Sequence, residues 1–366
     1  MTKIIKSITL VVIAIMICTT SVCAFALSGD SILPNVSDPA LDYAADIITR
    51  QYKDYYNITD VDIDVLSMNV QPERIEYYAV ITFGRVLIAD EAVKLPYVAG
   101  AVASLSTLDG KDFSIADSYV DALISEIESM YIGKTQDTSV FVYVTAPKTL
   151  NAAKSYKEQF EVYVENMNGE KVSPSILRPD DFNDMYKAGQ EKVSLIIANS
   201  SIVKTNTIND DIKKYNRVTA RDYARTWSCT SGKMESHGCN NPDYTYYEGT
   251  AGTDCANFVS QCLYAGGLPT DTTWYAYSLA WIRGANIRAY VSDNNLFFKS
   301  SNEMKAFAGS IICWNENNHV GLVDQNDTVT MTFCAHSRCR NSCSWSGEDV
   351  YFLIPYWDSY SGTWVS

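Results

Sequence analysis

Hydrophobic residues in the first half of the chain recur with two different periods. Helical spacing predicts three helices, over residues 38–56, 91–105 and 117–131. Residue-by-residue alternation, as in half-buried strands, predicts four strands, over 61–70, 76–88, 139–145 and 160–165. The mixture indicates an α+β region with four or more strands.

The second half of the chain has helical patterns first and strand patterns afterwards. The helical patterns cover residues 216–227, a segment that ends at 265, and most of 273–291. The strand patterns cover residues 310–314, 319–324, 328–335 and 349–354. This order predicts helices packed on a sheet of short strands.

The segment that ends at 265 carries a cysteine at its N-terminal tip. Thr253 and Asp254 can cap a helix start, and the glycine pair 266–267 supplies the positive-φ residue that commonly ends one. The apolar stripe of this helix is Cys255, Phe258, Val259, Cys262 and Leu263. A thiol at the first turn is close to the positive end of the helix dipole, which favours the nucleophilic thiolate. The alternative is a buried structural cysteine.

The chain has three histidines, His237, His319 and His336, and two of them flank a predicted hairpin. A two-residue loop at 326–327 would make His336 the diagonal neighbour of His319, and a loop shifted by one residue would place them directly opposite. A three-residue loop would send the two rings to opposite faces of the sheet. We expect them to meet on one face beside the helix that bears Cys255, and we expect His237 to be exposed.

These three side chains suit thiol hydrolysis. One imidazole can form the thiolate and then protonate a leaving amine, and a partner on its second nitrogen fixes its orientation. We assign Cys255 as nucleophile, His319 as acid and base, and His336 as orienting partner, with the exchange of the two histidines left open. The backbone amide of Cys255 and an unidentified side chain would bind the oxyanion. A helix-borne cysteine followed by a histidine-bearing sheet is the chain order of papain-like thiol hydrolases.

The N-terminal residues indicate export. Lys3 and Lys6 precede an apolar run over 8–18, and Ala24-Phe25-Ala26 offers small residues at a cleavage site. We predict a cleaved signal peptide over residues 1–26 and a secreted or cell-envelope protein. The apolar run is shorter than the ~20 residues that span a bilayer, so no transmembrane span is expected after cleavage.

Composition places a boundary between two predicted domains. All seven tryptophans lie beyond residue 226, and a polar stretch covers 199–211. We predict an α+β accessory domain of open role over 27–200, a linker over 201–213 and a catalytic domain over 214–366. The formal net charge of −14 argues against a nucleic-acid partner.

Eight cysteines remain after the predicted cleavage, all in the second domain. In a secreted protein such cysteines form disulfides, and the local pairs Cys229–Cys239 and Cys339–Cys343 are the expected ones. An even total means that a free Cys255 leaves at least one other thiol free. No tight C-x-x-C or H-x-x-x-H pair is present, so we predict neither a metal nor a cofactor.

The segment 254–267, Asp-Cys-Ala-Asn-Phe-Val-Ser-Gln-Cys-Leu-Tyr-Ala-Gly-Gly, resembles the signature helix of the putative amidase domain family of secreted bacterial proteins. A looser likeness extends over roughly 215–356. The resemblance implies a papain-like, NlpC-related fold and a cysteine amidohydrolase. It puts Cys255 and His319 on catalytic positions and His336 at the position of the family's later histidine. Three departures from the family's usual residues are Thr253 for Gly, Ala256 for Thr and Ser310 for Asp.

The sequence therefore predicts a secreted cysteine amidase or peptidase. Kinship to wall-lytic enzymes makes cell-wall peptides, of peptidoglycan type, the expected substrates. Two alternatives stay open. One is an acyl transferase that uses the same thiolate, and the other is a non-catalytic envelope protein whose tryptophans present aromatic platforms to glycan.

Overall fold

A computed structural model of the chain describes residues 38–200, 208–231, 239–247, 253–302, 306–316, 318–345, 347, 349–360 and 362–364. The predicted signal peptide and His237 lie outside the described residues. The chain divides into two compact units, residues 1–38 and 39–366, and all helices and strands of the described residues belong to the second.

Most of the helices lie close to where the apolar spacing predicts them, and the helix over 182–200 was not predicted. They are α1 (Pro39–Arg50), α2 (Pro96–Leu105), α3 (Gly110–Met130), α4 (Phe182–Ser200), α5 (Arg217–Thr226), α6 (Thr253–Ala265), α7 (Leu279–Ile282) and α8 (Gly284–Asp293). Helix α6 ends at the predicted glycine pair, where Gly267 has the left-handed φ of 95°. No helix within the described ranges combines the length and the apolar character needed to cross a bilayer.

The strands form one large sheet and one small one. They are β1 (Tyr56–Val70), β2 (Arg74–Leu87), β3 (Gln136–Pro147), β4 (Glu161–Glu165), β5 (Lys171–Val172), β6 (Phe297–Ser300), β7 (Ile311–Trp314), β8 (Val320–Asn326), β9 (Met331–Ala335), β10 (Arg340–Ser344), β11 (Val350–Pro355), β12 (Trp357–Asp358) and β13 (Thr363–Trp364). The large sheet has the order β1-β2-β3-β10-β9-β8-β7-β11-β6, with β4 and β5 attached to β3, and β12 pairs with β13. This confirms the predicted α+β class with a largely antiparallel sheet.

The large sheet passes through the predicted domain boundary. Strands β3 and β10 meet in a parallel bridge at Ser139 and Cys343, and the Ser139 hydroxyl donates to the Asn341 carbonyl at 2.7 Å. The second unit therefore includes both predicted domains, and a separate accessory domain is not confirmed. The boundaries at 200 and 214 stay a prediction.

Two apolar layers cover the C-terminal part of the sheet, one on each face. The layer that contains α6 includes Cys313, Val320 and Leu322. The opposite layer includes Trp314 and Val323. Adjacent strand residues thus face different layers, as strand geometry requires.

The segment predicted to be mostly helical, 273–291, begins with turns, and only α7 and α8 are helical. Trp274 is 0% exposed and its indole stacks on Trp281, with ring centroids 4.9 Å apart. The indole Nε1–H donates to the Ser260 hydroxyl on α6 at 3.1 Å. The turns over residues 273–278 are therefore stabilised by packing against α6 and not by helical hydrogen bonds.

Candidate active site

The first turn of α6 places Cys255 against the sheet. The apolar stripe predicted for this helix is buried throughout, and Cys255 itself is 0% exposed. It belongs to the same apolar layer as Val320, on β8, and Cys334, on β9. The cysteine therefore lies between the helix tip and the middle strands of the sheet.

Burial determines the ionisation of the Cys255 thiol. Desolvation raises its pKa to about 11, and the negative charge of Asp254 acts in the same direction. Hydrogen bonds from the backbone N–H groups of Val320, Ala256 and Cys255 itself lower the pKa by less. The resting thiol is protonated at neutral pH, so the thiolate expected from the helix dipole does not form in this conformation.

The three backbone N–H groups around the sulfur are also the kind of donor that an oxyanion requires. They are fixed donors in a water-poor site, and donors of this kind stabilise the oxyanion that forms when a thiol attacks a carbonyl. One of them is the Cys255 amide, the group predicted for this purpose. The N–H of Val320 supplies a donor from the sheet that the sequence did not indicate.

His336 is held close to the tip of α6. Its Nδ1 lies 2.5 Å from Oδ2 of Asp254, the residue just before Cys255. Its Nε2–H donates to the Trp227 carbonyl at 2.6 Å, and its ring stacks on Phe258 with centroids 4.1 Å apart. Both ring nitrogens and one ring face are thus fixed by neighbours.

Asp254 connects this histidine to a wider buried network. Its Oδ1 accepts hydrogen bonds from the Asn257 amide at 3.0 Å and from the Tyr247 backbone N–H at 3.3 Å. The Asn257 side-chain oxygen in turn accepts the Trp281 indole N–H at 3.0 Å. An imidazole, a carboxylate, an amide and an indole therefore form one chain of hydrogen bonds around the start of α6.

His319 lies on the other face of the sheet. Its ring packs against Trp314, which belongs to the opposite apolar layer, with centroids 4.8 Å apart. Burial lowers its pKa to about 3, and the positive charges of Arg340 and Arg338 add to this effect. The residue that follows, Val320, faces Cys255, so the His319 side chain points away from the thiol.

A β-bulge explains why the two histidines do not meet. Leu322 pairs with Cys334 on one side of the irregularity, and Gln325 pairs with Thr332 on the other, so Asp324 is the extra residue. On the side of the bulge that contains the Leu322–Cys334 pair, the same register places position 336 across from 320. His336 therefore shares a face with Val320 and not with His319. The predicted two-residue loop is wrong, because residues 327–330 connect the strands. A four-residue loop alone would keep both rings on one face, so the bulge is what makes that expectation wrong.

The bulge is stabilised by the carboxylate of its extra residue. Oδ1 of Asp324 accepts a hydrogen bond from Arg225 Nε at 2.5 Å. Oδ2 accepts from Thr332 Oγ1 and from Gln325 Nε2, each at 3.0 Å. Asp324 is 0% exposed, so these donors are what makes its charge tolerable in the core.

Sequence reasoning found Cys255 and His336 but missed the partners that connect them. Asp254 was interpreted as a helix cap, and its bond to His336 has no local signal because the two residues are 82 positions apart. The Trp227 carbonyl is a backbone group and leaves no trace in the residue pattern. The Asp-Cys dipeptide was the one available hint, since it puts a carboxylate beside the candidate nucleophile.

The predicted disulfides are not present among the described residues, where all eight cysteines are free thiols. The sulfurs of Cys229 and Cys239 lie 2.9 Å apart, and the sulfur of Cys339 lies 2.9 Å from that of Cys229. Cys343 belongs to a different group, the apolar layer of Trp314. Cys339 therefore associates with the first pair and not with Cys343.

The region that holds the tip of α6 and the two histidines that flank the β8–β9 hairpin matches a known protein family. Residues 214–350 match the putative amidase domain family. This confirms the resemblance for the C-terminal region, which contains Cys255, His319 and His336. The family suggests amide hydrolysis for residues 214–350, which are called the amidase domain below.

A curated relative and the solved structures add little chemistry. The uncharacterized protein YjcM of Bacillus subtilis (strain 168) is 27% identical over 112 residues, which are 31% of this chain and 24% of that protein. The chain thus matches about a quarter of the length of that relative. No solved structure matches the chain.

Proposed function

We propose that the amidase domain hydrolyses amide bonds with Cys255 as nucleophile and His336 as acid and base. The observation that carries the proposal is the bond between His336 and Asp254, since it ties an oriented imidazole to the residue that precedes the cysteine. The sequence left open which histidine is the acid and base. His336 lies on the same face of the sheet as Cys255 and His319 lies on the other, which favours His336. His319 is then a structural residue of the opposite layer.

The proposed reaction has two halves. Sγ of Cys255 attacks the carbonyl carbon while its proton passes to His336, and the backbone donors around the sulfur bind the oxyanion. The C–N bond breaks as His336 returns the proton to the leaving amine. Water then attacks the thioester, gives its proton to the imidazole, and releases the acid and the free thiol.

The proton transfer requires a change at the imidazole. In the resting arrangement Nε2–H donates to the Trp227 carbonyl, so this bond has to open and the Nε2 proton has to leave to solvent. The ring, with its remaining proton on Nδ1 toward Asp254, can then accept a proton from sulfur at Nε2. Asp254 keeps its hold on Nδ1 and stabilises the imidazolium that forms, as the aspartate of a catalytic triad does. The neutral resting thiol fits a mechanism in which attack and proton transfer occur together.

We infer further that the substrate is a cell-wall peptide and that the protein acts outside the cytoplasm. The support is the export-type pattern of residues 1–26 and the kinship of papain-like amidases to wall-lytic enzymes. The glycan-binding alternative loses part of its support, because Trp274, Trp281 and Trp314 are at most 1% exposed and present no platforms. Three further tryptophans, Trp227, Trp345 and Trp357, are partly buried.

The proposal is tested by release of amines from purified peptidoglycan and from model peptide amides. Cys255→Ala should lower the rate on the order of 10³-fold or more, and His336→Ala similarly, because groups of one catalytic unit fail together. Asp254→Asn should lower kcat on the order of 10²-fold or more through misorientation of the ring. His319→Gln should leave kcat within a few-fold of wild type.

The matched control is Cys262→Ala, two turns along the same helix and equally buried. It removes a buried thiol without touching the proposed chemistry, so it should retain activity. Full activity of Cys255→Ala would contradict the proposal, and loss in His319→Gln with retention in His336→Ala would exchange the histidines. Incorporation of an added amine into product would identify acyl transfer in place of hydrolysis.

A further inference from the structure

Three sulfur atoms from distant parts of the amidase domain converge outside the proposed active site. Cys229 follows α5, Cys239 lies in the segment before α6, and Cys339 lies in the turn between β9 and β10. Their Sγ atoms are separated by 2.9 Å, 2.9 Å and 3.5 Å. Cys339 is 6% exposed and the other two are partly buried. Sequence separations of 10 and 100 residues hid this cluster from a search for tight cysteine pairs.

Hydrogen bonds around the cluster favour negative charge on sulfur. The backbone N–H of Cys229 donates to Cys339 Sγ at 3.1 Å, and the Ser231 hydroxyl lies 3.3 Å from Cys229 Sγ. A backbone N–H that donates to a sulfur stabilises the thiolate form, which is the form that binds a metal ion.

The distances between the three sulfur atoms suit a metal ion that all three bind. Tetrahedral zinc with Zn–S bonds of about 2.3 Å places its sulfur ligands about 3.8 Å apart, so each pair here has to open by less than about 1 Å. A disulfide of about 2.05 Å would close one pair by a similar amount and leave the third sulfur in contact without a bond. A metal ion would use all three sulfurs, whereas a disulfide would use two of them.

We propose that Cys229, Cys239 and Cys339 form a three-thiolate site for a borderline or soft divalent metal ion of the zinc type. The fourth coordination position is left to water or to a further group. Binding releases the thiol protons to solvent and places the metal charge among the sulfurs. The proposal replaces the sequence expectation of no metal.

The location of the site gives it a structural consequence for the amidase domain. Cys229 is two residues after Trp227, whose carbonyl holds His336, and Cys339 is three residues after His336 itself. A bound metal ion would therefore hold in place both backbone segments that meet at His336, the one that contains Trp227 and the one that contains His336 itself. The site stands on its own geometry, and it does not depend on whether the amidase reaction is correct.

The test is metal content of the full chain, purified under reducing conditions, incubated with zinc sulfate and freed of excess ion. We expect about one zinc per chain by elemental analysis. Cobalt substitution should give the intense thiolate-to-metal absorption of a tetrahedral sulfur site. Cys229→Ser and Cys339→Ser should each weaken zinc binding by more than the 10–100-fold that outer-shell changes cost. The control Cys343→Ala, four residues from Cys339 but in another layer, should bind like wild type.

Mass mapping of alkylated cysteines gives a second readout that needs no variant. Bound zinc should protect these three cysteines from alkylation in the native chain. Zinc below about a tenth of an equivalent, or a mapped disulfide within the cluster that persists in the reduced protein, overturns the proposal. The same measurement on Cys255→Ala separates the outcomes, because that variant should bind zinc fully while it lacks amidase activity.

Discussion

His319 is a neutral histidine kept away from water by an aromatic and cationic environment. Trp314 covers its ring, and the guanidinium groups of Arg338 and Arg340 oppose a further positive charge. Both arginines are engaged by the Glu165 carboxylate, at 3.0 Å and 2.7 Å. Protonation of His319 would therefore place a third cation beside two guanidinium groups that already share one carboxylate.

This arrangement predicts an acid-sensitive contribution to stability. The pKa of His319 is lowered from 6.5 to about 3 in the folded state, so its neutral form stabilises the protein fully above pH 6.5. That stability is lost as the pH falls from 6.5 through about 3, because only the unfolded chain then gains the proton easily. Its magnitude is on the order of 3–5 kcal/mol.

Denaturant unfolding of wild type and His319→Gln at pH 7 and pH 4 measures this contribution. The free energy of unfolding should fall with acidification in both proteins, and it should fall more steeply in wild type. The difference between the two slopes isolates residue 319 from the carboxylates that titrate in the same range. Equal slopes would show that the ring is protonated or solvated in the folded state.

At Cys255 two local effects oppose each other, and burial wins. The helix N-terminus and three backbone donors favour the thiolate, yet desolvation raises the pKa to about 11. The sign of the linkage is opposite to that of His319. The neutral thiol stabilises the fold below about pH 9, and this stability is lost as the pH rises through about 11. A dipole argument from sequence alone could not include this term, because it depends on the sheet packed over the thiol.

Among the elements, the bulge in β8 decides which side chains share a face with Cys255. One extra residue reverses the alternation of every position before it, so His319 faces Trp314 while Val320 faces the thiol. The carboxylate of Asp324 accepts three hydrogen bonds there and so makes the irregular backbone stable.

Replacement of Asp324 by asparagine should therefore destabilise the protein. The change removes the buried charge that pairs with Arg225 and leaves its donors poorly satisfied, and loss of one partner in such a pair costs about 3–5 kcal/mol. Since Arg225 is 35% exposed, water will recover part of this loss and the lower end is expected. Denaturant unfolding at pH 7 measures the change.

The control for this substitution is Asp222→Asn on α5. Asp222 also contacts an arginine, Arg221, but its side chain is 58% exposed, so the change in unfolding free energy should be within about 0.5 kcal/mol. A similar small effect for Asp324→Asn would mean that its ion pair does not stabilise the bulge.

The elements were predictable to the extent that local periodicity determines them. Helix α6 and strands β1 to β4 follow from apolar spacing and glycine signals. Strand β10 was missed because its sequence, Arg-Asn-Ser-Cys-Ser, is polar, although four of its five residues are buried by tertiary contacts. The position of Cys255 was predictable from its helix, whereas the partner of His336 depends on a register that a bulge changes without a local signal.

On the scale of the whole molecule, buried ion pairs join the N-terminal residues to the amidase domain. Arg217, 0% exposed at the start of α5, contacts Glu126 on α3 and Asp358 on β12, each at 2.6 Å. Tyr56 donates its hydroxyl to the Asp327 carboxylate, which lies in the loop after β8. Removal of one side of such contacts leaves charges buried without partners.

The shared sheet joins the same two parts of the chain through backbone contacts. Strand β10 pairs with β9 on one edge and meets β3 on the other. If residues 39–200 were removed, the second edge of β10 would be exposed, and unpaired strand edges favour aggregation. The amidase domain defined by sequence similarity, 214–350, also ends before Asp358, which binds Arg217.

These contacts predict that residues 39–366 unfold as one cooperative unit. Thermal unfolding followed by circular dichroism and by tryptophan fluorescence should give coincident transitions, although every tryptophan lies beyond residue 226. A fragment of residues 214–366 should be aggregated or lack a cooperative transition, because Arg217 and the edge of β10 lose their partners. Addition of Glu126→Gln to the longer chain, which breaks only the ion pair, should lower its stability by about 3 kcal/mol without separating the two transitions. A fragment that folds cooperatively with near-native stability would instead establish the independent catalytic domain that the tryptophan distribution predicts.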